Sequence, residues 1–87
     1  MRVSQFNGVK NQFLVESEKG ELYQSYNSAI ALRDNDGVVH LSEHWDYSKT
    51  TSKYRNLFLG ETTVETKQKV ASGEYKLDLE LNGTVGG

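Results

Sequence analysis

The string His40-Leu41-Ser42-Glu43-His44 reads H-x-x-E-H, the pattern that in inverted zincins supplies two zinc ligands and a general base. That chemistry needs both imidazoles on one helical face, a positioned carboxylate and a third ligand. Here Val38-Val39 runs a β-branched pair into His40, and strand geometry separates the two rings. The expectation is one half-exposed strand histidine, one loop histidine and no metal. The chain has no cysteine, so neither a thiolate metal site nor a disulfide is available. There is no G-x-S-x-G elbow and no G-x-x-x-x-G-K-[ST] loop. Asp78 and Glu80 share the wet face of an alternating stretch, which does not offer the partial burial that a catalytic carboxylate needs. These residues imply no catalysis, no cofactor and no metal.

A second cluster is Trp45 to Arg55, W-D-Y-S-K-T-T-S-K-Y-R. Lys49, Lys53 and Arg55 stand against a single acid, Asp46, within a chain of net charge −2. Thr50-Thr51-Ser52 would sit at a helix N-terminus, where unpaired amides and the dipole favour an anion. Lys53 and Arg55 could flank a phosphate, with Trp45 or Tyr47 stacked on a base. The cluster can equally be a sheet-to-helix junction: Trp45 and Tyr47 closing the core, Asp46 and Ser48 bonding backbone, Thr50 or Thr51 capping the helix. What packing leaves over for a partner is then Lys49, Ser52, Lys53, Arg55 and Trp45.

The elements that must position these groups follow from periodicity and turn chemistry. Asn7-Gly8, Lys19-Gly20, Asp36-Gly37 and Asn82-Gly83 tolerate positive φ and close hairpins. Between them, Arg2 to Phe6, Gln12 to Ser17, Glu21 to Tyr26, Ala29 to Arg33 (a strand or a single helical turn capped by Asn27) and Val38 to Leu41 read as a meander of about five strands. From Thr50, Tyr54, Leu57 and Phe58 recur on one helical face, and Gly60 suits a left-handed terminus. Thr62-Thr63-Val64-Glu65 is a capping box opening a second helix that Gly73 closes. Tyr75, Leu77, Leu79 and Leu81 alternate with charged residues, which predicts a strand over 74–81 with one buried face. The fold class is therefore α+β: an antiparallel sheet, then two short helices on one face, then a C-terminal strand. A chain of 87 residues holds one domain, over residues 1–81, with 82–87 as a flexible tail. No leader and no membrane span is legible, and a cytoplasmic location is expected.

Ser25 to Ala31, S-Y-N-S-A-I-A, and Trp45 to Leu59 resemble a set of small phage and mobile-element proteins. These share S-Y-x-[ST]-x-I-A followed by Y-S-x-T-T-x-[KR]-[HY] and an apolar helix. The resemblance covers about residues 1 to 81. It implies a phage or plasmid origin, a host-cell cytoplasmic setting and no catalytic residues. Small phage accessory proteins often bind and block host proteins, defence systems such as CRISPR included.

Three readings follow. The first is a non-enzymatic, phage-like accessory protein that binds and inhibits a host or defence protein, with tyrosines 23, 26 and 47 in excess of what a small core buries. The second is a nucleic-acid-binding module using Thr50 to Arg55. The third is a self-assembling protein that pairs through a free sheet edge at Arg2 to Phe6 or Glu74 to Leu81.

Overall fold

The computed structural model describes residues 2–46, 48–78 and 81. Tyr47, Leu79 and the tail expected at 82–87 lie outside the described residues. Strands β1 (Arg2–Gln5), β2 (Gln12–Ser17), β3 (Gly20–Ser25), β4 (Ser28–Asp34) and β5 (Val39–Leu41) are followed by helices α1 (Lys49–Leu59) and α2 (Thr63–Ser72) and by β6 (Lys76–Leu77). The six strands lie in sequence order in one sheet. Each of the first five pairs antiparallel with the next, and β6 joins β5 in parallel. The α+β class and the meander are as the sequence predicts. The Ala29 to Arg33 stretch is a strand.

The sheet is covered on one face by the helices. Tyr23, Ile30, Ala31, Val39, Leu41, Phe58 and Tyr75 are buried there, with Phe6, Trp45, Tyr54 and Val70 packed around them. Burying Phe58 contributes about 2–3 kcal/mol. Its ring meets Phe6 at 6.2 Å and Tyr23 at 6.1 Å between centroids. Phe6 therefore belongs to the core: it begins a six-residue connection, over 6–11, in which Asn7, Gly8 and Asn11 all take positive φ. The β1–β2 link around Asn7-Gly8 is longer by one residue than the sequence suggested, because Phe6 leaves the strand. Tyr23 is also buried completely, its hydroxyl donating to Gln12 Oε1 at 2.5 Å, so it is no part of a surface.

On the opposite face Val15, Leu22 and Ala29 are buried together with Leu81. The C-terminal stretch thus departs from the expected single buried face. Tyr75 enters the helix-side cluster, Leu77 is 56% exposed, and Leu81 lies in the other cluster. Alternation would keep all three on one side, but pairing with β5 spans only His40↔Lys76 and Leu41↔Leu77. Beyond it the Leu81 amide turns back onto the Asp78 carbonyl at 3.2 Å, and the chain passes from one face to the other.

Helix α1 starts one turn-position earlier than Thr50. Ser48 is the N-cap and its hydroxyl accepts from the Thr51 amide at 3.1 Å. Thr50 and Thr51 are inside the helix, and Thr51 is buried. The inward stripe is Thr51, Arg55 and Phe58, at i, i+4 and i+7. Leu57 is 53% exposed, because it lies roughly 100° around the helix from Phe58. Gly60 takes φ 71° as the left-handed C-cap, and Arg33 Nη2 donates to the terminal Phe58 carbonyl at 3.0 Å.

A β-bulge shapes the end of the sheet nearest the start of α1. The β3–β4 register passes from Tyr23↔Ala31 to Gln24↔Ala29, leaving Ile30 as the extra residue. Its carbonyl, turned out of the ladder, accepts from the Ser42 amide at 3.0 Å. The buried Ser42 hydroxyl donates to the Ala29 carbonyl at 2.5 Å. Both carbonyls at the irregularity are therefore satisfied from one residue.

Candidate functional site

The histidine string divides as its strand context requires. His40 lies within β5, and His40 Nε2 is 2.8 Å from Asp34 Oδ2. Asp34 Oδ1 accepts from the amides of Asp36 and Val38 at 3.0 and 2.9 Å. The hydrogen bond with His40, followed by those amides, holds the Asp34 carboxyl below its ordinary range. His44 sits in the turn after β5, with Nε2 3.6 Å from Glu43 Oε1. Among the described residues no group of three or more His, Cys, Asp or Glu gathers as a metal site would require. Asp78 donates its amide to the Leu41 carbonyl at 2.8 Å, continuing the sheet edge. Glu80 lies outside the described residues.

The Trp45 to Arg55 cluster is mostly internal. Arg55 is 0% exposed, which removes it from the surface where the sequence reading placed it. Its Nη1 donates to the Trp45 carbonyl. Its Nη2 donates to Asn56 Oδ1 and Thr63 Oγ1, both at 3.0 Å. The guanidinium lies 5.2 Å from the centroid of the Trp45 ring, and Asp46 Oδ1 is 3.8 Å from Nη1. Burial lowers the Arg55 pKa, while Asp46 and Glu61 oppose that shift. A guanidinium keeps its proton in any protein setting. The residue is thus a buried cation that ties the turn before α1 to the start of α2.

The remaining members of the cluster separate by packing. Trp45 is half-buried against the core. Ser52 donates to Asp46 Oδ1 at 3.4 Å. Lys49 and Lys53 are exposed, with Lys53 Nζ 5.4 Å over the Tyr54 ring. The junction brings Trp45, Ser52 and Arg55 into one internal network and leaves the two lysines outside it.

A second polar network, unmarked by any sequence motif, lies where α1 meets α2. The Glu61 carboxylate accepts from Lys69 Nζ at 2.9 Å and from the hydroxyls of Tyr75 and Thr66 at 2.5 Å each. Burial alone would raise the Glu61 carboxyl, yet the hydrogen bonds from Lys69, Thr66 and Tyr75 outweigh it and hold the pKa below normal. The bond to Glu61 raises Lys69. Burial, then the same carboxylate, raises Tyr75. A nucleophilic lysine or a general-base tyrosine needs the reverse shift. The group is a charge-assisted clamp holding α2 to the chain entering β6.

A concave feature of the surface lies elsewhere. A cleft of about 340 Å³ is lined by Ser25, Tyr26, Ser28, Ile30, His44 and Thr51. Ser25, Ile30 and Thr51 are buried and form its inner wall. Ile30 is there because the bulge re-aims it, and Thr51 because it leads the inward stripe of α1. Tyr26, at the mouth, is 59% exposed and has φ 54°. It fills the first place of the two-residue turn between β3 and β4, where a positive φ favours Gly, Asn or Asp over a bulky residue. The strained backbone is fixed from both sides. The Tyr26 amide donates to the Asn11 carbonyl at 2.7 Å, and Gln24 Nε2 donates to the Tyr26 carbonyl at 2.6 Å. Such conformations persist only where neighbours over-determine them, and they cluster at functional sites.

The two segments that carry the sequence resemblance meet at this cleft: Ser25, Tyr26, Ser28 and Ile30 come from the first and Thr51 from the second. The sequence reading placed Tyr26 at the end of the third strand and among the surplus tyrosines; β3 instead ends at Ser25 and Tyr26 lies in the turn. The expected strands left Asn27-Ser28 between them; the Ser25↔Ser28 pairing moves the two-residue turn to Tyr26-Asn27. A small α+β domain with a meander, two capped helices and one lined cleft is the class that fold and site define. The chain belongs to a family of unknown function, DUF8033, whose profile matches residues 2–74. No curated protein and no solved structure matches the chain.

Proposed function

We propose that the chain is a non-enzymatic, phage-like accessory protein that works in the host cytoplasm by binding a host or defence protein and occluding its surface. The observation that carries this reading is Tyr26. An exposed aromatic residue is held in a left-handed backbone, pinned by Asn11 and Gln24, at the mouth of a cleft. Packing does not need a tyrosine there, and a smaller residue would relieve the backbone. Tyrosine is also among the residues that dominate protein–protein hot spots. The absence of a helix among the described residues that is long and apolar enough to cross a membrane is compatible with this setting.

The nucleic-acid reading loses its central cation with Arg55 buried, leaving Lys49 and Lys53 as exposed positive groups on α1. The self-assembly reading keeps both of its edges: β1 and β6 are the outer strands of the sheet, and every residue of each is exposed. A single experiment separates the three. Tagged wild-type chain and its Tyr26→Asn variant are each incubated with host lysate, with and without nuclease. The proposal expects a nuclease-resistant protein captured by the wild type and lost by the variant. Capture abolished by nuclease favours nucleic acid. Recovery of only the chain itself, as an oligomer, favours self-assembly.

A further inference from the structure

We propose that the cleft beside Tyr26 receives one uncharged aromatic side chain, a tyrosine in preference to a phenylalanine, from the partner polypeptide. This rests on the protein-binding reading and names what that reading's contact would recognise. Size gives the first argument. An apolar cavity of about 150 Å³ accepts benzene, so a cleft of about 340 Å³ holds one substituted ring with the backbone atoms that carry it. It is too small for a folded element and larger than an aliphatic side chain needs.

Charge gives the second argument. None of the six lining residues is a carboxylate, an ammonium or a guanidinium. A charged side chain entering the cleft would shed water and find on its lining only the His44 imidazole, which already lies 3.6 Å from Glu43. The wall chemistry gives the third. Ile30 offers an apolar surface, and Tyr26 and His44 offer rings for offset or edge contacts. Ser25, Ser28 and Thr51 place hydroxyls around them. A phenol satisfies all three kinds of group at once, with an apolar body, a π face and a polar tip. A phenylalanine would strip water from the half-buried Ser28 hydroxyl without replacing its hydrogen bonds, whereas the buried Thr51 hydroxyl already accepts from Ser48 Oγ at 3.1 Å.

The probes are the blocked amino acids N-acetyl-tyrosinamide, N-acetyl-phenylalaninamide, N-acetyl-leucinamide and N-acetyl-argininamide, titrated into the isotopically labelled full chain and followed by NMR. The expected result is a saturable shift confined to Ser25, Tyr26, Ser28, Ile30, His44 and Thr51, strongest for tyrosinamide, weaker for phenylalaninamide and absent for argininamide. Tyr26→Asn, which keeps the positive φ, should weaken tyrosinamide binding by about fivefold. Ser28→Ala should narrow the gap between the two aromatic probes. Shifts scattered over the surface, equal response to argininamide, or no saturation with tyrosinamide would overturn the inference. If lysate capture depends on Tyr26 while tyrosinamide leaves the cleft unmoved, this inference falls and protein binding stands. If tyrosinamide saturates the cleft and no protein is captured, the polypeptide source is wrong, and the protein-binding reading falls with it.

Discussion

Arg55 and Tyr26 occupy opposite roles from those their chemistry suggests. The guanidinium, the most persistently charged group of the Trp45 to Arg55 junction, is wholly enclosed and bonded to Trp45, Asn56 and Thr63. The tyrosine, a natural core residue, stands in water on a turn whose backbone resists it. One region spends unusual composition on holding the fold together. The other spends backbone strain on presenting a ring. Composition therefore points to the first region and conformation to the second, and the second is the better guide to a contact surface.

The contrast can be broken most forcefully at Arg55. Arg55→Ala leaves the Trp45 carbonyl and Asn56 Oδ1 without this donor (Thr63 Oγ1 keeps Asn56 Nδ2), empties a buried site and should cost about 3–5 kcal/mol, read as a large fall in the urea midpoint. An unchanged midpoint would mean that the guanidinium serves a partner rather than the fold. Glu61→Gln comes next, at about 1–2 kcal/mol, since the amide keeps one acceptor but loses the charge that Lys69 and Tyr75 meet. Here the pH dependence has a definite sign. The folded Glu61 pKa lies below its unfolded value, so its contribution is complete above the ordinary carboxylate range and is lost as pH falls through the folded pKa. Asp34, also lowered, behaves alike. At the alkaline end burial pushes Tyr23 up to about 12. Its contribution is full below the ordinary phenol pKa near 10 and fades as pH rises towards 12. Acid and base titrations of unfolding by circular dichroism should show both flanks, and Glu61→Gln should flatten the acid one and remove from the alkaline one the share that Lys69 and Tyr75 owe to the carboxylate, leaving the Tyr23 share in place.

Two smaller effects sharpen the comparison. Ser48→Ala should cost about 1 kcal/mol as a lost cap, whereas Thr50→Ala should stay within about 0.5 kcal/mol. Equal costs would restore a threonine cap. Tyr26→Asn should stabilise the domain by about 1 kcal/mol, because asparagine accepts the left-handed backbone, while abolishing partner capture. A variant both less stable and still binding would end the reading of this turn as strained for function. Lys49→Ala and Lys53→Ala should each move stability by less than about 0.5 kcal/mol.

Much of the architecture was legible because it is local. Alternation marked the strands, Thr62 and Glu65 announced α2, and Gly60 and Gly73 ended the helices, each through chemistry confined to a few neighbours. Arg55 was misplaced because an amphipathic period identifies a face only when its members are apolar. A buried arginine on the stripe is indistinguishable in sequence from an exposed one. Leu77 and Leu81 alternate faultlessly, yet the face each takes depends on how far β6 stays paired, which is a tertiary matter. Ile30 joined the cleft through a bulge, and no residue type announces a slip of one position in register. The Glu61 clamp draws its members from a loop, a helix and a strand entry, so no spacing reveals it.

The sequence-ordered sheet has a kinetic consequence. Five strands find their partners in the adjacent stretch of chain, so their pairing closes short loops and can proceed as soon as the chain is made. The sixth must wait for both helices, because only their packing returns it beside β5. Closing order and opening order should mirror each other. Amide exchange should be slowest along β2, β3 and β4 and fastest around Lys76 and Leu77, with Leu81 leaving the far face before the meander yields.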